Sequence, residues 1–271
     1  MKNIVLNGGL GNQLFQIVEA FRLKSNGVDV CIDTSVISRC WFQKYFLRQR
    51  SVEPYYKYFT LNSEIMVVNK KKTIFYVFIS KVLGRLSGGL IRMVDDNTSG
   101  KSCYHMGYWQ NIDVAKKYTN FFSFINDLFP EANNEIAQLM AESNSLAVHV
   151  RRGDYLLKKN SYFASCTTNY YKAAMSLFES ARIFVFSDDI DWAKGSGLFP
   201  NDTVYVNHNT QDNAHMDMYL MSVASNIVIC NSTFSVWGAL LGVKEKVIAP
   251  KYYYVNSENH LTLPCWCMLD N

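Results

Sequence analysis

Arg151 and Arg152, adjacent in HVRRGDY (149–155), are the residues of this sequence hardest to account for by packing. A guanidinium is permanently charged and can bond two oxygens at once, so a pair at a strand exit suits a diphosphate. They leave the apolar run SLAVHV in the company of His149 and Asp154. A surface ion-pair cluster between the arginines and Asp154 accounts for them equally well. A second stretch, FSDDIDW (186–192), sets Asp188, Asp189 and Asp191 directly behind another apolar run. Carboxylates there can hold a divalent metal through the Asp189–Asp191 spacing, accept hydrogen bonds from a base such as guanine, or cap the next helix. A third, NSTFSVWGALLG (231–242), crowds Asn231, Ser232, Thr233 and Ser235 at a helix start. Unsatisfied N–H groups and the positive end of the helix dipole attract an anion at such a place. One hydroxyl there would be an ordinary cap, and three are a surplus. A phosphate at that helix, facing the arginine pair, is the economical account.

A fourth stretch, GGLGNQLFQ (8–16), follows the apolar run IVL. A dinucleotide fingerprint beginning at Gly9 requires glycine at position 14, where the chain has Leu14. Asp33 stands near the right distance for a ribose contact and keeps an oxidoreductase reading open. No GxxxxGK[ST] phosphate loop is present. Gly11, Asn12 and Gln13 offer neutral donors and acceptors, which suit hydroxyl groups better than a pyrophosphate. A tight turn capped by the Asn12 side chain is the structural alternative.

These stretches need elements to carry them. The order KNIVLN, GGLG, a helix from Asn12 and VDVCIDT reads as strand, turn, helix and parallel strand. Leu14, Phe15, Val18, Phe21 and Arg22 recur at helical spacing, and Gly27 stops the helix. Residues 35–100 are irregular, and 128–144 form a helix with Pro130 near its start. A second alternation follows: SLAVHV, YYKAAMSLFESA, RIFVFS, TVYVN, HMDMYLMSVA, NIVIC, FSVWGALLG and KVIAP. Short apolar runs between helices mark a parallel sheet covered on both faces. Two α/β domains are expected, with their boundary near residue 145. Ligands of such sheets sit outside the carboxyl ends of the strands, where the four stretches fall.

Length and composition agree. The chain has 271 residues, 49% of them hydrophobic, enough for two cores. Residues 1–148 carry 17 Lys and Arg against 12 Asp and Glu, while the remainder carries 10 against 11. That asymmetry is too weak for a nucleic-acid protein but suits an acidic or membrane-proximal partner of the first half. Seven scattered cysteines suggest reduced thiols and a cytoplasmic setting, with the CWC pair (265–267) read as thiols rather than metal ligands. The longest apolar stretch (73–91) contains Lys81 and Arg85, whose burial at membrane depth costs about 2.5–3.5 kcal/mol each. It reads as an ordinary buried helix, ahead of a helix lying on an anionic leaflet.

Taken together, GGLGNQLFQ, GYWQ (107–110), HVRRGDY, FSDD and NSTFSVWGALLG resemble the bacterial α-1,2-fucosyltransferases of glycosyltransferase family 11. Val236 stands where that family commonly has a first tryptophan, and Ile17 and Val18 where it has a tyrosine and a small residue. The resemblance implies an α/β, GT-B-like fold of two Rossmann-like domains facing a cleft. Residues 1–145 would form the acceptor side and residues 146–271 would bind GDP-fucose. It implies inverting transfer of L-fucose to the 2-hydroxyl of a galactose-containing glycan, lipid-linked or free, in surface polysaccharide synthesis, without a metal. Arg151 would grip the β-phosphate, helped by Arg152. His149 and one of Asp188 and Asp189 would meet the GDP moiety. Asn231, Ser232, Thr233 and Phe234 would line its phosphate and ribose side, and Asn12 would approach the reacting sugar. Asp154 is the candidate base. The competing readings are a transferase of this fold with another donor, a nicotinamide-dependent oxidoreductase, and a glycan-binding module without activity.

Overall fold

The run KNIVLN forms β1 (Lys2–Val5), and the glycines behind it turn straight into α1 (Leu10–Ser25). Gly8 makes that turn at φ +77°, a left-handed value open to glycine at no steric cost. α1 ends where Gly27 takes φ +76°. β2 (Val30–Asp33), β3 (Phe59–Leu61), β4 (Met66–Val68), α2 (Lys71–Leu86), β5 (Tyr104–His105), α3 (Ile112–Lys117) and β6 (Phe122–Phe124) follow. The computed structural model describes residues 1–39, 54–86, 96, 98–99, 102–125, 130–153, 162–209 and 213–271.

The first sheet is parallel with strand order β4-β2-β1-β5. Its chain path runs outward from β1 through β2 to β4 and then returns to β5 on the other side of β1. β3 and β6 form a separate antiparallel pair. α1 carries the expected apolar face, with Leu14, Phe15, Val18 and Phe21 buried, but it buries Gln13, Gln16 and Glu19 as well. Arg22 is not part of that face: its guanidinium meets the Glu19 carboxylate through two hydrogen bonds of 2.7 Å.

The second alternation gives α4 (Glu131–Ala141), β7 (Ser145–Val150), α5 (Thr168–Met175), β8 (Arg182–Ser187), α6 (Ile190–Gly195) and β9 (Val204–Val206). After them come α7 (His215–Val223), β10 (Asn226–Val228), α8 (Thr233–Leu240), β11 (Lys246–Pro250), β12 (Tyr252–Tyr254), β13 (Ser257–Glu258) and β14 (Cys267–Leu269). Six of the strands form one parallel sheet in the order β14-β11-β10-β7-β8-β9. Read from β9, that is 3-2-1-4-5-6, the doubly wound order, and the first sheet is its 3-2-1-4 portion. The chain is an α/β protein of GT-B type with two Rossmann-like units.

The units are Met1–Ile125 and Asn126–Asn271, so α4 belongs with the second, some distance ahead of the boundary expected near residue 145. The reason is side-chain chemistry. Buried Asn133 of α4 bonds Asn209 at 3.0 Å and the Met216 sulfur of α7 at 3.0 Å. The α7–α8 contact is equally close, because a Cβ on Gly238 would lie 2.9 Å from the Met221 Cβ.

The apolar stretch from residue 73 departs from expectation. Residues 87–91 lie outside the described residues, and α2 is only half buried: Thr73 and Val77 face the core while Phe75 is 60% exposed. No helix among the described residues is long and apolar enough to cross a membrane. Cys31 and Cys230 are buried thiols, whereas Cys103, Cys265 and Cys267 are exposed. No group of metal-ligating side chains occurs among the described residues.

Candidate active site

In each unit the chain reverses its direction of winding beside one strand, and the sequence motifs lie at those two points. In the second unit the reversal falls between β7 and β10, which pair in register from Asn226 with Leu146 to Val228 with Val148. HVRRG leaves the end of β7 and NSTFS follows β10, so topology brings together segments separated by 80 residues. Two buried tyrosines of α5 hold the strand ends in place. The Tyr170 hydroxyl donates to the Ile229 carbonyl at 2.6 Å, and the Tyr171 hydroxyl donates to the His149 carbonyl at 3.2 Å. Neither tyrosine stood out in the sequence, since YY on a helix is ordinary core material.

His149 is buried, with Nδ1 3.1 Å from the Cys230 sulfur and its ring 5.8 Å from the Phe234 ring. Burial first, and then the neighbouring Arg151 charge, push its pKa below the ordinary imidazole range, although Asp188 opposes the shift. The imidazole is therefore neutral at physiological pH. Burial likewise pushes the Cys230 thiol far up, so it is not an active nucleophile.

The aspartates after β8 hold the arginines. Arg151 Nε lies 3.3 Å from Asp188 Oδ2, and the Arg152 backbone N–H donates to Asp188 Oδ1 at 2.9 Å. Arg152 Nε donates to Asp189 Oδ2 at 3.3 Å, and its guanidinium lies 3.9 Å over the Trp192 ring. Asp189 also caps α6, accepting from the Trp192 N–H at 3.3 Å. Gly153 completes the arrangement: a Cβ there would stand 2.6 Å from Asp188 Oδ2. Among the described residues the arginines pair with Asp188 and Asp189. Asp154 itself lies outside the described residues.

At α8, Ser232 is the cap, its hydroxyl accepting from the Phe234 N–H at 3.3 Å. Ser232, Thr233 and Phe234 are half buried at the helix start. Asn231 differs from them, being buried, with its amide donating to the Tyr252 carbonyl at 2.7 Å and to the Ala164 carbonyl. It fastens β12 and the segment at Ala164 beside the site. Ser235 is also buried, its hydroxyl donating to the Ser232 carbonyl at 3.3 Å.

In the first unit the winding reverses between β1 and β5. Gln16, fully buried, accepts from the Asn7 N–H at 3.0 Å and donates to the Asn7 and Gly107 carbonyls at 3.1 and 2.9 Å. Gln13, also fully buried, accepts from the Tyr55 N–H at 2.8 Å and donates to the Gly8 carbonyl at 3.2 Å. The two glutamines thus shape the turn. Gly11 is buried, and half-buried Asn12 accepts from the Gln110 amide at 2.9 Å. A Cβ on Gly8 would come within 3.1 Å of the Asn12 amide nitrogen and 3.2 Å of the Tyr108 ring. Asp33 is wholly buried and accepts from the Ser35 N–H at 2.9 Å and the Thr73 hydroxyl at 2.6 Å. Its carboxylate joins β2 to α2, a use that leaves the ribose reading without its acid.

Sequence reading also passed over Asp217, in the first turn of α7. It is half-buried, its carboxylate accepts from Asn209 at 2.7 Å, and desolvation pushes its pKa up to about 7. The signal was an acid inside the apolar helix HMDMYLMSVA.

Two doubly wound units, one with an arginine pair and a hydroxyl-rich helix start at its winding reversal, have the architecture of nucleotide-binding α/β proteins. The model of glycosyl transferase family 11 matches residues 1–267, and the chain belongs to that family. It is similar to an α-1,2-colitosyltransferase of Escherichia coli, 30% identical over 96% of this chain and 94% of that one. It is also similar to the O-antigen biosynthesis glycosyltransferase WbnK of Escherichia coli, 26% identical over 97% and 99%. Among solved structures, the α-1,6-fucosyltransferase NodZ crystallised with GDP superposes at TM-score 0.54, with 14% identity over 89% of this chain and 91% of that one.

Proposed function

We propose that this glycosyltransferase moves L-fucose from GDP-fucose to the 2-hydroxyl of a galactose residue, with inversion, during O-antigen-type polysaccharide synthesis at the inner face of the bacterial inner membrane. The observation that carries the reading is the grouping of Arg151, its anchor Asp188 and the start of α8 at the winding reversal of the second unit. Fission of the fucosyl–oxygen bond leaves negative charge on the β-phosphate of GDP. Arg151 and the N–H groups beginning at Thr233 are fixed donors for that charge as it develops, which is electrostatic catalysis. Phe234 and neutral His149 would line the nucleoside side, with Arg152, Asp188 and Asp189 supporting the arginine loop. Asn231 would keep the adjoining segments at the right height. Metal assistance is redundant for leaving-group charge already met by a guanidinium and a helix dipole, so full turnover in excess EDTA is expected.

The first unit would take the acceptor, with half-buried Asn12 meeting sugar hydroxyls and buried Gly11 and Gln13 supporting the turn beneath it. Deprotonation of the attacking hydroxyl is assigned to Asp154, and an Asp154→Asn enzyme with full activity would remove it from that role. A second reading replaces fucose by colitose, and the 30% identical colitosyltransferase favours it. The deciding experiment incubates purified protein with GDP-fucose or a colitosyl donor and a panel of galactose-terminated acceptors, followed by linkage analysis. An α-1,2-fucosyl product supports the first reading. Transfer from the colitosyl donor alone establishes the second, and no transfer from either defeats both.

A further inference from the structure

The outward face of α2 belongs to neither half-site. Over residues 65–83 the chain has four lysines, Lys70, Lys71, Lys72 and Lys81, and no acidic residue. Thr73 and Val77 face the core, which fixes the rotation of the helix. At 100° per residue the opposite side carries Lys71, Phe75, Phe78 and Val82 in a stripe about 16 Å long. Phe75 is 60% exposed and Phe78 41%. Lys72 and Lys81 fall on the two flanks of that stripe. An apolar ridge bordered on both sides by lysines suits an interface that is oily in depth and negative at its surface. The lysine stems lie along the oil while the ammonium groups reach the charged layer.

We propose that the α2 face is a docking surface for an anionic phospholipid leaflet, with Phe75 and Phe78 seated at the headgroup–acyl boundary and Lys71 and Lys72 paired with lipid phosphates. A second copy of the chain fits the same face less well, because it would set lysines against lysines. The proposal stands on surface chemistry and does not depend on which sugar is transferred.

The test sediments the full-length protein with sucrose-loaded vesicles of phosphatidylcholine alone or mixed with phosphatidylglycerol. Binding is expected only with phosphatidylglycerol, and added salt should weaken it. Lys71→Gln with Lys72→Gln should lower the partition coefficient about tenfold or more, since each lysine contributes separately. Phe75→Ser should lower it at unchanged charge, and its circular dichroism melting curve should match wild type. The idea is overturned if wild-type protein stays in the supernatant with phosphatidylglycerol, or if these folded variants bind as wild type does. It is also overturned if size exclusion shows a dimer that Phe75→Ser dissociates.

Discussion

Arg151 has a carboxylate partner in Asp188, in an ion pair about a quarter exposed on the arginine side. Such a pair is weak as a source of stability but effective as a positioning device. Arg151→Ala should therefore leave the melting temperature within a few degrees of wild type. Removing one pre-organised donor to a developing anion typically costs about 2.7–4 kcal/mol, so turnover should fall about 10²–10³-fold. Steady-state kinetics beside a thermal melt would read both, and near-normal transfer by the folded variant would sink the role. Titration offers a second check. Burial lowers the pKa of His149 and takes that of His215 down to about 4, so their contribution to stability is full above about pH 6.5 and is lost as pH falls. Asp217 has the opposite sign. Its folded pKa of about 7 exceeds the ordinary 3.8, so its contribution is full below that ordinary value and is lost as pH rises through about 7. Asp217→Asn should thus raise unfolding free energy at mildly alkaline pH and flatten its slope between about pH 4 and pH 7, as denaturant titrations would show.

Elements bring these residues together, and the tightest joint is the turn after β7. Gly153→Ala would drive a methyl into the Asp188 carboxylate, which must move and take Arg151 with it. The expected result is a folded protein with turnover reduced at least as much as in Asp188→Asn, and a variant with wild-type kcat would show the joint to be slack. Gln16→Ala tests the first unit: it orphans the buried Asn7 groups and the half-buried Gly107 carbonyl and should cost about 1–3 kcal/mol of stability. Much of this was legible in the sequence. SLAVHV and RIFVFS are β7 and β8 residue for residue, because apolar runs buried on both faces have sharp ends. Of the motif glycines, Gly8 is closely approached by Asn12 and Tyr108, whereas a Cβ on Gly9 would meet open space. What stayed hidden were partners rather than positions. Nothing in FSDD says that its carboxylates turn back onto the arginines, and nothing in GNQ says that Gln13 is spent on Tyr55. Such pairings depend on where a loop is carried by strand order, which one-dimensional periodicity does not encode. α2 deceived for another reason, because an apolar run looks the same whether the protein or another phase covers it.

At the scale of the whole molecule, each group of site residues is assembled within its own unit. Asn12, Gln110, Gly8 and Tyr108 all lie before Ile125, whereas His149, Arg151, Asp188 and Ser232 all lie after Asn126. Retained activity in EDTA is a prediction at this scale, because it concerns what the second unit does with its own charges. If chelation abolished turnover and added magnesium restored it, leaving-group stabilisation would need a group beyond Arg151 and α8. The separate wiring of the two halves also makes them exchangeable. A chimaera that joins residues 1–125 of this chain to the later half of a colitosyl-transferring relative should inherit its sugar-donor preference from the graft and its choice of acceptor from the host.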